Sequence, residues 1–396
     1  MAYFTTVEYR ERIQRLQSLL LEKEIDLAVL NLNSDLYYYT GSVLPLYLLV
    51  PAAGAPLSLA RKGVEQARNQ AAHLQVEAFN NTRDLTRIID QYGLKGRRIG
   101  FTLDTSAYAT VQRWLQLFEA PAPVDLSSEV RYLRMVKSET EIAIQRRAGR
   151  VMAGVPQLVK SGFRPGMTEL ELSALVENYF RLHGHAALVR CRREGSEMNF
   201  GVCAAGLNSL AGTKFDGICA GVGLSLAAPY GANDTPIPQG VPVILDYAFN
   251  LDGYHLDQTR MFCWGTPQDA ALEAYEAMIK IENEIIASLR PGGEWSEIYD
   301  KSAALAAKMG YGAEFMGLGP EKVKFVGHGV GLELDEPPFL APKMEQRLAA
   351  GMVVAVEPKV ALPGIGVIGI EDTLAIRETG PEMLTDCPRE FIIADK

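Results

Sequence analysis

Four carboxylates interrupt apolar, strand-like runs in the second half of the chain, and this pattern constrains the fold more than any other feature of the sequence. Asp246 lies in VPVILDYAFN and Asp257 in YHLDQTRMF, whereas Glu357 ends MVVAVE and Glu371 lies in GVIGIEDTLAI. Burying an ionised carboxylate without a partner costs several kcal/mol. The strands must therefore bring these acids to a common partner, either a cation or a shared proton.

The first two acids are predicted to lie on one face of a β-hairpin. The turn signal Asp252-Gly253 separates their two strands. A two-residue loop at this turn makes Asp246 and Asp257 diagonal neighbours on the same face, whereas a four-residue loop over 250–253 places them directly opposite each other. Directly opposed side chains lie about 5 Å apart at Cβ. Two carboxylates at such a distance repel each other unless a cation or a shared proton lies between them.

A single histidine completes a set of ligands that is typical of a two-metal site. His328 lies in GHGVG, where the glycines leave space around the imidazole. Four carboxylates and one neutral imidazole suit a pair of divalent ions about 3.5–4 Å apart. Thr259 and Thr373 each follow a carboxylate by two residues, so they lie on the same strand faces and are predicted to donate hydrogen bonds close to the ligands.

Each of these residues also has a simpler explanation. A lone aspartate in a strand usually lies at a rim or a turn, a lone histidine is usually a packed core residue, and Glu357 before Pro358 could end a strand in solvent. Four acids that interrupt four apolar strands are harder to explain in that way. The metal-binding interpretation is therefore favoured for the set, although not for any one member.

The composition argues against several classes of function. The chain has 396 residues, a net charge of −9 and no block rich in Lys or Arg, which argues against nucleic acid or an anionic membrane as its main partner. Its five cysteines are scattered without a CxxC motif, so neither a disulfide framework nor a thiolate zinc site is expected. The first segment, MAYFTTVEYRERIQ, is polar and charged, and prolines break the apolar stretch 44–59. We therefore expect a cytoplasmic protein without a membrane span.

The length and the order of the patterns predict two domains. Helical and strand-like segments alternate in the first third, which indicates an α/β domain over residues 1–130. Residues 136–396 are predicted to form the second domain, with a long helix from Ser138 towards Lys160 and another helix after Thr168, each opened by a capping box. The first domain holds no candidate catalytic cluster, so we expect it to shield substrate or to contact a partner subunit.

The site strings resemble those of the pita-bread fold metallopeptidases, which include methionine aminopeptidases, prolidases and Xaa-Pro aminopeptidases, with creatinase as a relative that is not a peptidase. The match consists of Asp246, Asp257 eleven residues later in LDQTR, His328 in GHGVG, Glu357 in VEP and Glu371 in IEDT. The resemblance implies that these five residues hold two divalent ions, with Mn, Co, Zn and Fe as candidates. It also implies that Glu357 is catalytic and moves a proton, while a hydroxide that bridges the ions attacks a peptide carbonyl.

The resemblance covers the whole chain and implies a fold class and an assembly. Residues 1–130 are similar to the α/β N-terminal domain of creatinase and prolidase. Residues 136–396 are similar to the α+β pita-bread catalytic domain. The family also implies a homodimer.

Two substrate-handling histidines of these peptidases have no counterpart in the sequence. Tyr230, in Pro229-Tyr230, stands near the position of one, and Asp335, in LDEP, stands at the position of the other. An ionised Asp335 accepts hydrogen bonds rather than donating them, so it could bind a cationic group such as a substrate amine, whereas Tyr230 can still donate. We therefore predict that both residues bind substrate. The segment 214–226 is an insertion relative to the usual pattern.

The other histidines of the second domain are not predicted to belong to the metal or substrate site. His183 and His185 could have moved into the site, but a solvated helix end is the expected place for both. His255 lies two residues before Asp257 on the same strand face and is given little functional weight.

Three functions are compatible with these features. The first is a dinuclear metallopeptidase of the Xaa-Pro dipeptidase or aminopeptidase type, which the complete ligand set favours. The second is a metal-dependent hydrolase or lyase on a small, non-peptide and possibly cationic substrate, which the replacement of two histidines by Tyr230 and Asp335 favours. The third is a non-catalytic binding protein, which the intact ligand set argues against.

Overall fold

The structure of the chain, a computed structural model, describes residues 4–192, 197–212 and 214–394. These residues fall into two units. The first consists of residues 4–134 together with Arg192, and the second consists of the other described residues between 135 and 394. All five candidate metal ligands belong to the second unit.

Helices and strands alternate along the first unit. In chain order they are α1 (Thr6–Glu22), β1 (Leu27–Leu30), α2 (Asn33–Thr40), β2 (Tyr47–Pro51), β3 (Leu57–Ala60), α3 (Val64–Gln70), β4 (Gln75–Ala78), α4 (Thr82–Gln91), β5 (Ile99–Phe101), α5 (Tyr108–Leu117), β6 (Pro123–Asp125) and α6 (Ser127–Met135). The strands form one mixed sheet in the order β4–β3–β2–β1–β5–β6, in which β1 pairs in parallel with β5 and antiparallel with β2. This is the α/β pattern that the sequence predicts.

The first helix shows how the sequence sets the local structure. The helical spacing of Ile13, Leu16 and Leu20 predicts a buried face, and α1 buries all three side chains. The helix begins after Thr5, whose hydroxyl oxygen accepts a hydrogen bond from the Glu8 N–H at 3.2 Å. This cap satisfies one of the N–H groups that a helix leaves unpaired at its start.

Five further helices belong to the second unit. They are α7 (Glu139–Met152), α8 (Val155–Gly162), α9 (Glu169–Leu182), α10 (Asp269–Ser288) and α11 (Trp295–Lys308), and short 3-10 turns lie at Gly206–Leu210 and Gly319–Glu321. The capping boxes predicted at Ser138 and Thr168 are present at the starts of α7 and α9.

The long helix predicted from Ser138 towards Lys160 is wrong, because the segment forms two helices. α7 ends at Met152, and α8 carries Pro156 in its first turn. Proline lacks an N–H and its ring clashes with the carbonyl four residues earlier, so it fits a helix start and not a helix interior. At the junction, a Cβ on Gly154 would lie 2.3 Å from the Tyr179 hydroxyl of α9, so a larger residue there would have to displace the tyrosine side chain.

The strands of the second unit form two sheets and one separate pair. They are β7 (Gly201–Ala205), β8 (Pro242–Leu251), β9 (Tyr254–Trp264), β10 (Gly327–Gly329), β11 (Glu336–Phe339), β12 (Val353–Val356), β13 (Lys359–Leu362), β14 (Gly366–Gly369), β15 (Asp372–Arg377), β16 (Gly380–Met383) and β17 (Ile392–Ala394). One sheet has the order β11–β10–β12–β15–β16, the other has the order β17–β9–β8–β7, and β13 pairs with β14.

The hairpin of β8 and β9 has the two-residue turn. Asp252 and Gly253 both have positive φ, 52° and 92°, as a primed turn requires. Asp246 pairs with Thr259, and Asp257 lies two residues before Thr259 on β9, opposite Ala248. The two aspartates are therefore diagonal neighbours on one face, which is one of the two arrangements that the sequence allows.

The second hairpin strand is tied to the segment that carries Glu371. Thr259 and Glu371 exchange backbone hydrogen bonds, with N···O distances of 3.3 Å and 3.2 Å. In the neighbouring sheet, His328 pairs with Ala355 of β12, two residues before Glu357. These pairings direct the strand positions that carry the acids and the histidine towards one place.

Within the described part of the chain, no helix is both long enough and apolar enough to cross a membrane.

Candidate metal centre

Five side chains from five segments converge in the second unit. Asp246 lies on β8, Asp257 on β9 and His328 on β10, while Glu357 follows β12 and Glu371 precedes β15. Asp246 is one-fifth exposed, and the other four are buried. The structure thus brings together every residue that the sequence singles out as a metal ligand.

One side of the cluster, which we call the histidine half, consists of Asp257, His328, Glu357 and Glu371. Nε2 of His328 lies 3.5 Å from Oε1 of Glu357 and 3.9 Å from both Oδ2 of Asp257 and Oε1 of Glu371. Ligand atoms of Asp257, His328 and Glu371 all lie within 4.8 Å of one another. Since protein ligands bind such ions at about 2.0–2.2 Å, this spacing fits one divalent ion.

The other side, which we call the lysine half, contains a cation supplied by the chain itself. Nζ of Lys359 donates hydrogen bonds to Glu357 Oε2 at 2.6 Å, Asp246 Oδ2 at 3.0 Å and Glu371 Oε2 at 3.1 Å. The Lys359 side chain is only 1% exposed. The donor set therefore fits a metal ion in the histidine half, whereas an ammonium group fills the lysine half.

The local fold directs Lys359 into the cluster. It follows Glu357 by two residues in an extended segment, so both side chains lie on the same face. Across the β13–β14 pair it faces Gly369, where a Cβ would lie 2.3 Å from Cγ of Lys359. The missing side chain at Gly369 is what leaves room for the lysine stem.

A cysteine from the segment 214–226 also contacts the lysine half. Sγ of the buried Cys219 donates a hydrogen bond to Asp246 Oδ2 at 3.2 Å. Burial, and then the negative charge of Asp246, raise the pKa of the Cys219 thiol well above its ordinary value. Cys219 therefore acts as a neutral donor to Asp246.

Two hydrogen-bond acceptors beside Nδ1 orient the imidazole of His328. Its Nδ1 lies 3.2 Å from the Gly329 carbonyl oxygen and 3.3 Å from Oδ1 of Asp335. A proton on Nδ1 satisfies both acceptors and leaves the lone pair of Nε2 directed at the histidine half, which is the arrangement that metal-binding histidines use. Burial alone would lower the pKa of His328, but the charges of Asp335, Glu357 and Asp257 together raise it.

Burial and the close packing of like charges also shift the pKa values of the acids. Burial, with Asp246 as the next cause, raises the pKa of Asp257 to about 7. Burial and the charge of Asp257 raise the pKa of Glu371 well above its ordinary value. Burial opposes the charge on Lys359, but Asp246, Glu357 and Glu371 outweigh it and raise the pKa of the ammonium group. The cluster therefore carries an excess of acid groups that a cation in the histidine half would relieve.

The two predicted threonine donors act differently. Oγ1 of Thr259 donates to Glu371 Oε2 at 2.8 Å. The Thr373 hydroxyl instead holds the Asp257 backbone, accepting from its N–H at 3.1 Å and donating to its carbonyl oxygen at 2.8 Å. Arg260 adds a hydrogen bond from its guanidinium to the Glu371 carbonyl oxygen at 2.8 Å. These contacts fix two ligand-bearing segments without occupying the histidine half.

The residues predicted to bind substrate lie in different settings. Asp335 is beside His328, and its side chain is 52% exposed. Tyr230 packs edge-on against Phe215, with ring centroids 5.2 Å apart, and among the described residues it makes no hydrogen bond to the five candidate ligands. The structure therefore places Asp335 within 3.3 Å of a candidate ligand, whereas Tyr230 forms no hydrogen bond with one among the described residues.

The remaining histidines of the second unit lie outside the ligand set. His183 is exposed at the end of α9, as expected. The expected solvated position of His185 is wrong, because its ring is buried against Phe200 and Phe249 and bonds the Ala248 carbonyl oxygen at 3.1 Å. His255 is also buried, and its Nδ1 bonds the Gly331 carbonyl oxygen at 3.0 Å.

Comparison with known proteins agrees with this arrangement. Residues 143–378 match metallopeptidase family M24, and residues 12–136 match the creatinase/prolidase N-terminal domain. The chain belongs to metallopeptidase family M24. It is accordingly a metal-dependent hydrolase, with a creatinase-like α/β N-terminal domain and an α+β pita-bread catalytic domain, as the sequence predicts.

Several M24 relatives are similar over almost their whole length. An Xaa-Pro dipeptidase of Pyrococcus horikoshii is 27% identical over 391 residues, which cover 96% of this chain and 99% of the relative. The uncharacterised peptidase YqhT of Bacillus subtilis is 26% identical, with coverage of 96% and 99%. The solved Xaa-Pro dipeptidase from Bacillus anthracis is 27% identical and superposes with a TM-score of 0.82, covering 97% of this chain and 99% of that one.

Two residues of the cluster were missed by the sequence argument. Lys359 carried a signal, because it is a charged residue in an apolar strand, two positions after Glu357. The predicted ligand set consists of acids and one histidine, so it does not include this lysine. Cys219 carried no usable signal, because it lies in a stretch rich in Gly, Ala and Ser whose local structure the sequence does not predict.

Proposed function

We propose that this M24 enzyme is a peptidase that hydrolyses short peptides of the Xaa-Pro type. The observation that carries the proposal is the geometry of the histidine half, where His328 Nε2 faces oxygens of three carboxylates at 3.5–3.9 Å. The Xaa-Pro dipeptidase from Pyrococcus horikoshii and that from Bacillus anthracis are similar over nearly the whole chain, which supports the substrate class.

Asp257, His328, Glu357 and Glu371 would hold a divalent ion in the histidine half. Such an ion, when bound, polarises a carbonyl and makes a water molecule more acidic. Manganese is the ion we propose to test first. The predicted second ion would need the lysine half, where Lys359 Nζ already contacts Asp246, Glu357 and Glu371.

Glu357 is the proposed proton carrier. Its two oxygens face different partners, since Oε2 bonds Lys359 while Oε1 lies on the side of His328. Lys359 therefore fixes the carboxylate with Oε1 at the histidine half. A lone pair of Oε1 that does not bind the ion can take a proton from the attacking water and deliver it to the leaving amine. His328 is kept in the correct tautomer by Asp335 and Gly329.

Asp335 and Tyr230 are the proposed substrate-binding residues. The half-exposed carboxylate of Asp335 can accept hydrogen bonds from the α-ammonium group of a short peptide. The Tyr230 hydroxyl can donate to a peptide oxygen. We also propose that the enzyme is cytoplasmic and works as a homodimer on small peptides, with neither nucleic acid nor membrane as a partner.

A peptide library tests the proposed activity. Manganese-loaded enzyme is incubated with mixed Xaa-Pro peptides and other N-terminal peptides, and the products are identified by mass spectrometry. His328→Ala should abolish cleavage, whereas the matched variant His183→Ala, at an exposed helix end, should retain it. Cleavage that survives in His328→Ala at full rate would contradict the proposed role of the histidine half.

A second candidate function is a metal-dependent reaction on a small cationic molecule that is not a peptide. The half-exposed carboxylate of Asp335, 3.3 Å from His328 Nδ1, favours it, because a carboxylate there attracts a substrate cation. The absence of any peptide cleavage by enzyme that holds metal would favour this candidate over the peptidase.

A further inference from the structure

Two carboxylates in the cluster are shared between its two halves. Glu357 directs Oε1 towards His328 and Oε2 towards Lys359, and Glu371 does the same with its own two oxygens. A carboxylate that bridges two cations has one oxygen on each. The ammonium group of Lys359 therefore lies where these two carboxylates would otherwise hold a second cation.

The contacts of Lys359 match the requirements of an ammonium ion. Its three N–H donors meet three carboxylate oxygens at 2.6–3.1 Å. Two of the three accepting oxygens also accept from neutral donors, Asp246 Oδ2 from the Cys219 thiol and Glu371 Oε2 from the Thr259 hydroxyl. Hydrogen-bond donors of the chain itself thus satisfy the three accepting oxygens of the lysine half.

The histidine half is different, because it contains an unsatisfied oxygen. Oε1 of Glu371 is buried in a side chain that is 1% exposed, and it has no hydrogen-bond partner among the described residues. It lies 3.9 Å from Nε2 of His328. A buried carboxylate oxygen without a donor is costly, so this oxygen points to a cation in the histidine half.

An added metal ion cannot easily displace the lysine. The Lys359 backbone is fixed in the β13–β14 pair, and its stem lies against Gly369 in space that a single Cβ would close. The lysine half is also buried, so an ammonium group and a divalent ion that shared its three oxygens would repel each other strongly. The glycine opposite the lysine indicates that this strand pair is built to accommodate the ammonium group.

We propose that Lys359 takes the place of one of the two metal ions, so that the folded enzyme binds a single divalent ion, in the histidine half. The proposal rests on the metal dependence stated under the proposed function and deepens it. It replaces the two-ion centre expected from the sequence with a centre of one metal ion and one ammonium ion.

Metal stoichiometry tests the proposal directly. The purified full-length chain is stripped with a chelator and dialysed against Mn²⁺, and bound manganese is measured by elemental analysis and by electron paramagnetic resonance. We expect about one ion per chain, with the spectrum of an isolated ion rather than an exchange-coupled pair. Two bound ions with a coupled spectrum would overturn the proposal, and so would the absence of bound ions.

Two variants separate the halves without depending on activity. Asp246→Asn should leave the stoichiometry unchanged, because Asp246 contacts Lys359 and not the histidine half, whereas His328→Ala should lose the ion. In a two-ion centre, Asp246→Asn would instead lose one of two ions. Lys359→Met should raise the stoichiometry towards about two, and the exposed-site variant Lys308→Met should not.

The outcomes distinguish this inference from the proposed function. One ion without peptide cleavage would leave the inference standing and refute the peptidase activity. Two ions with cleavage would refute the inference and leave the peptidase activity standing. Protein that binds no ion but cleaves peptides would refute both the single-ion centre and the metal dependence of the activity.

Discussion

Nζ of Lys359 lies 2.6 Å from Oε2 of Glu357, the residue proposed to carry the proton in peptide hydrolysis. Both side chains extend from the same short segment, and both are buried. The ion pair therefore couples the electrostatic balance of the cluster to the position of its proton carrier. It also makes the stability of the metal-free protein depend on one lysine.

Lys359→Met should destabilise the metal-free enzyme more than the metal-loaded enzyme. The variant keeps an apolar stem of similar length but leaves three carboxylates without their cation, and breaking a buried ion pair costs about 3–5 kcal/mol. Added Mn²⁺ should recover part of this loss by binding where the ammonium group was. Thermal unfolding with a chelator and with excess Mn²⁺ measures both effects, and Lys308→Met serves as the exposed control. Identical unfolding of Lys359→Met and wild type in the chelator would contradict the prediction.

Gly369→Ala should destabilise the enzyme through Lys359. The new Cβ would lie 2.3 Å from Lys359 Cγ, which forces the lysine stem or the strand pair to move. Overpacking of this kind costs about 1–3 kcal/mol. The same substitution in a Lys359→Gly background should cost less, because the stem is gone. Chemical denaturation of the four proteins in this double-mutant cycle gives the coupling energy, and a coupling near zero would show that the two positions are independent.

Asp335→Asn should weaken metal binding without removing it. Asp335 Oδ1 lies 3.3 Å from His328 Nδ1 and helps to fix the tautomer whose Nε2 lone pair faces the histidine half. Loss of such an orienting carboxylate typically lowers metal affinity by about 10–100-fold. Titration calorimetry with Mn²⁺ measures the change, with the exposed-site variant Glu345→Gln as control. Unchanged affinity combined with a raised KM for peptides would instead assign Asp335 to substrate binding alone.

Much of this organisation could be predicted because burying charge is expensive. Strand-like runs broken by Asp246, Asp257, Glu357 and Glu371 had to converge on a common partner, and the structure brings all four together with His328. The alternation of helices and strands predicted the α/β domain for a similar reason, since periodic apolar patterns have few ways to be buried.

The unpredicted features depend on contacts between distant parts of the chain. In the sequence, Lys359 is marked only as a charged residue in an apolar strand. Its pairing with Gly369 and its contacts with three carboxylates depend on the folded structure. His185 follows a helix-stopping glycine, a position typical of solvent exposure, yet tertiary packing against Phe249 buries it. The break between α7 and α8 does not depend on distant contacts. Pro156 marks its position in the sequence, although one long helix is predicted there.

His185 should make the enzyme lose stability in mild acid. Burial lowers its pKa to about 4, and its neutral ring bonds the Ala248 carbonyl oxygen through Nε2 and accepts from the Ala187 N–H through Nδ1. Because the unfolded chain binds this proton near pH 6.5 and the folded chain does not, the stabilisation is present above pH 6.5 and is lost as the pH falls towards about 4.

The pH dependence of unfolding checks this assignment. Between about pH 7 and about pH 5, the histidine should account for about 1–2 kcal/mol of the lost free energy of unfolding. His185→Gln should be less stable at neutral pH but should show a shallower dependence on pH, because the variant has no group that titrates there. His183→Gln, two residues away at an exposed position, should keep the wild-type slope. Urea titrations at several pH values give the free energy of unfolding of each protein. If this free energy fell equally steeply with pH in wild type and in His185→Gln, other groups would cause the acid sensitivity.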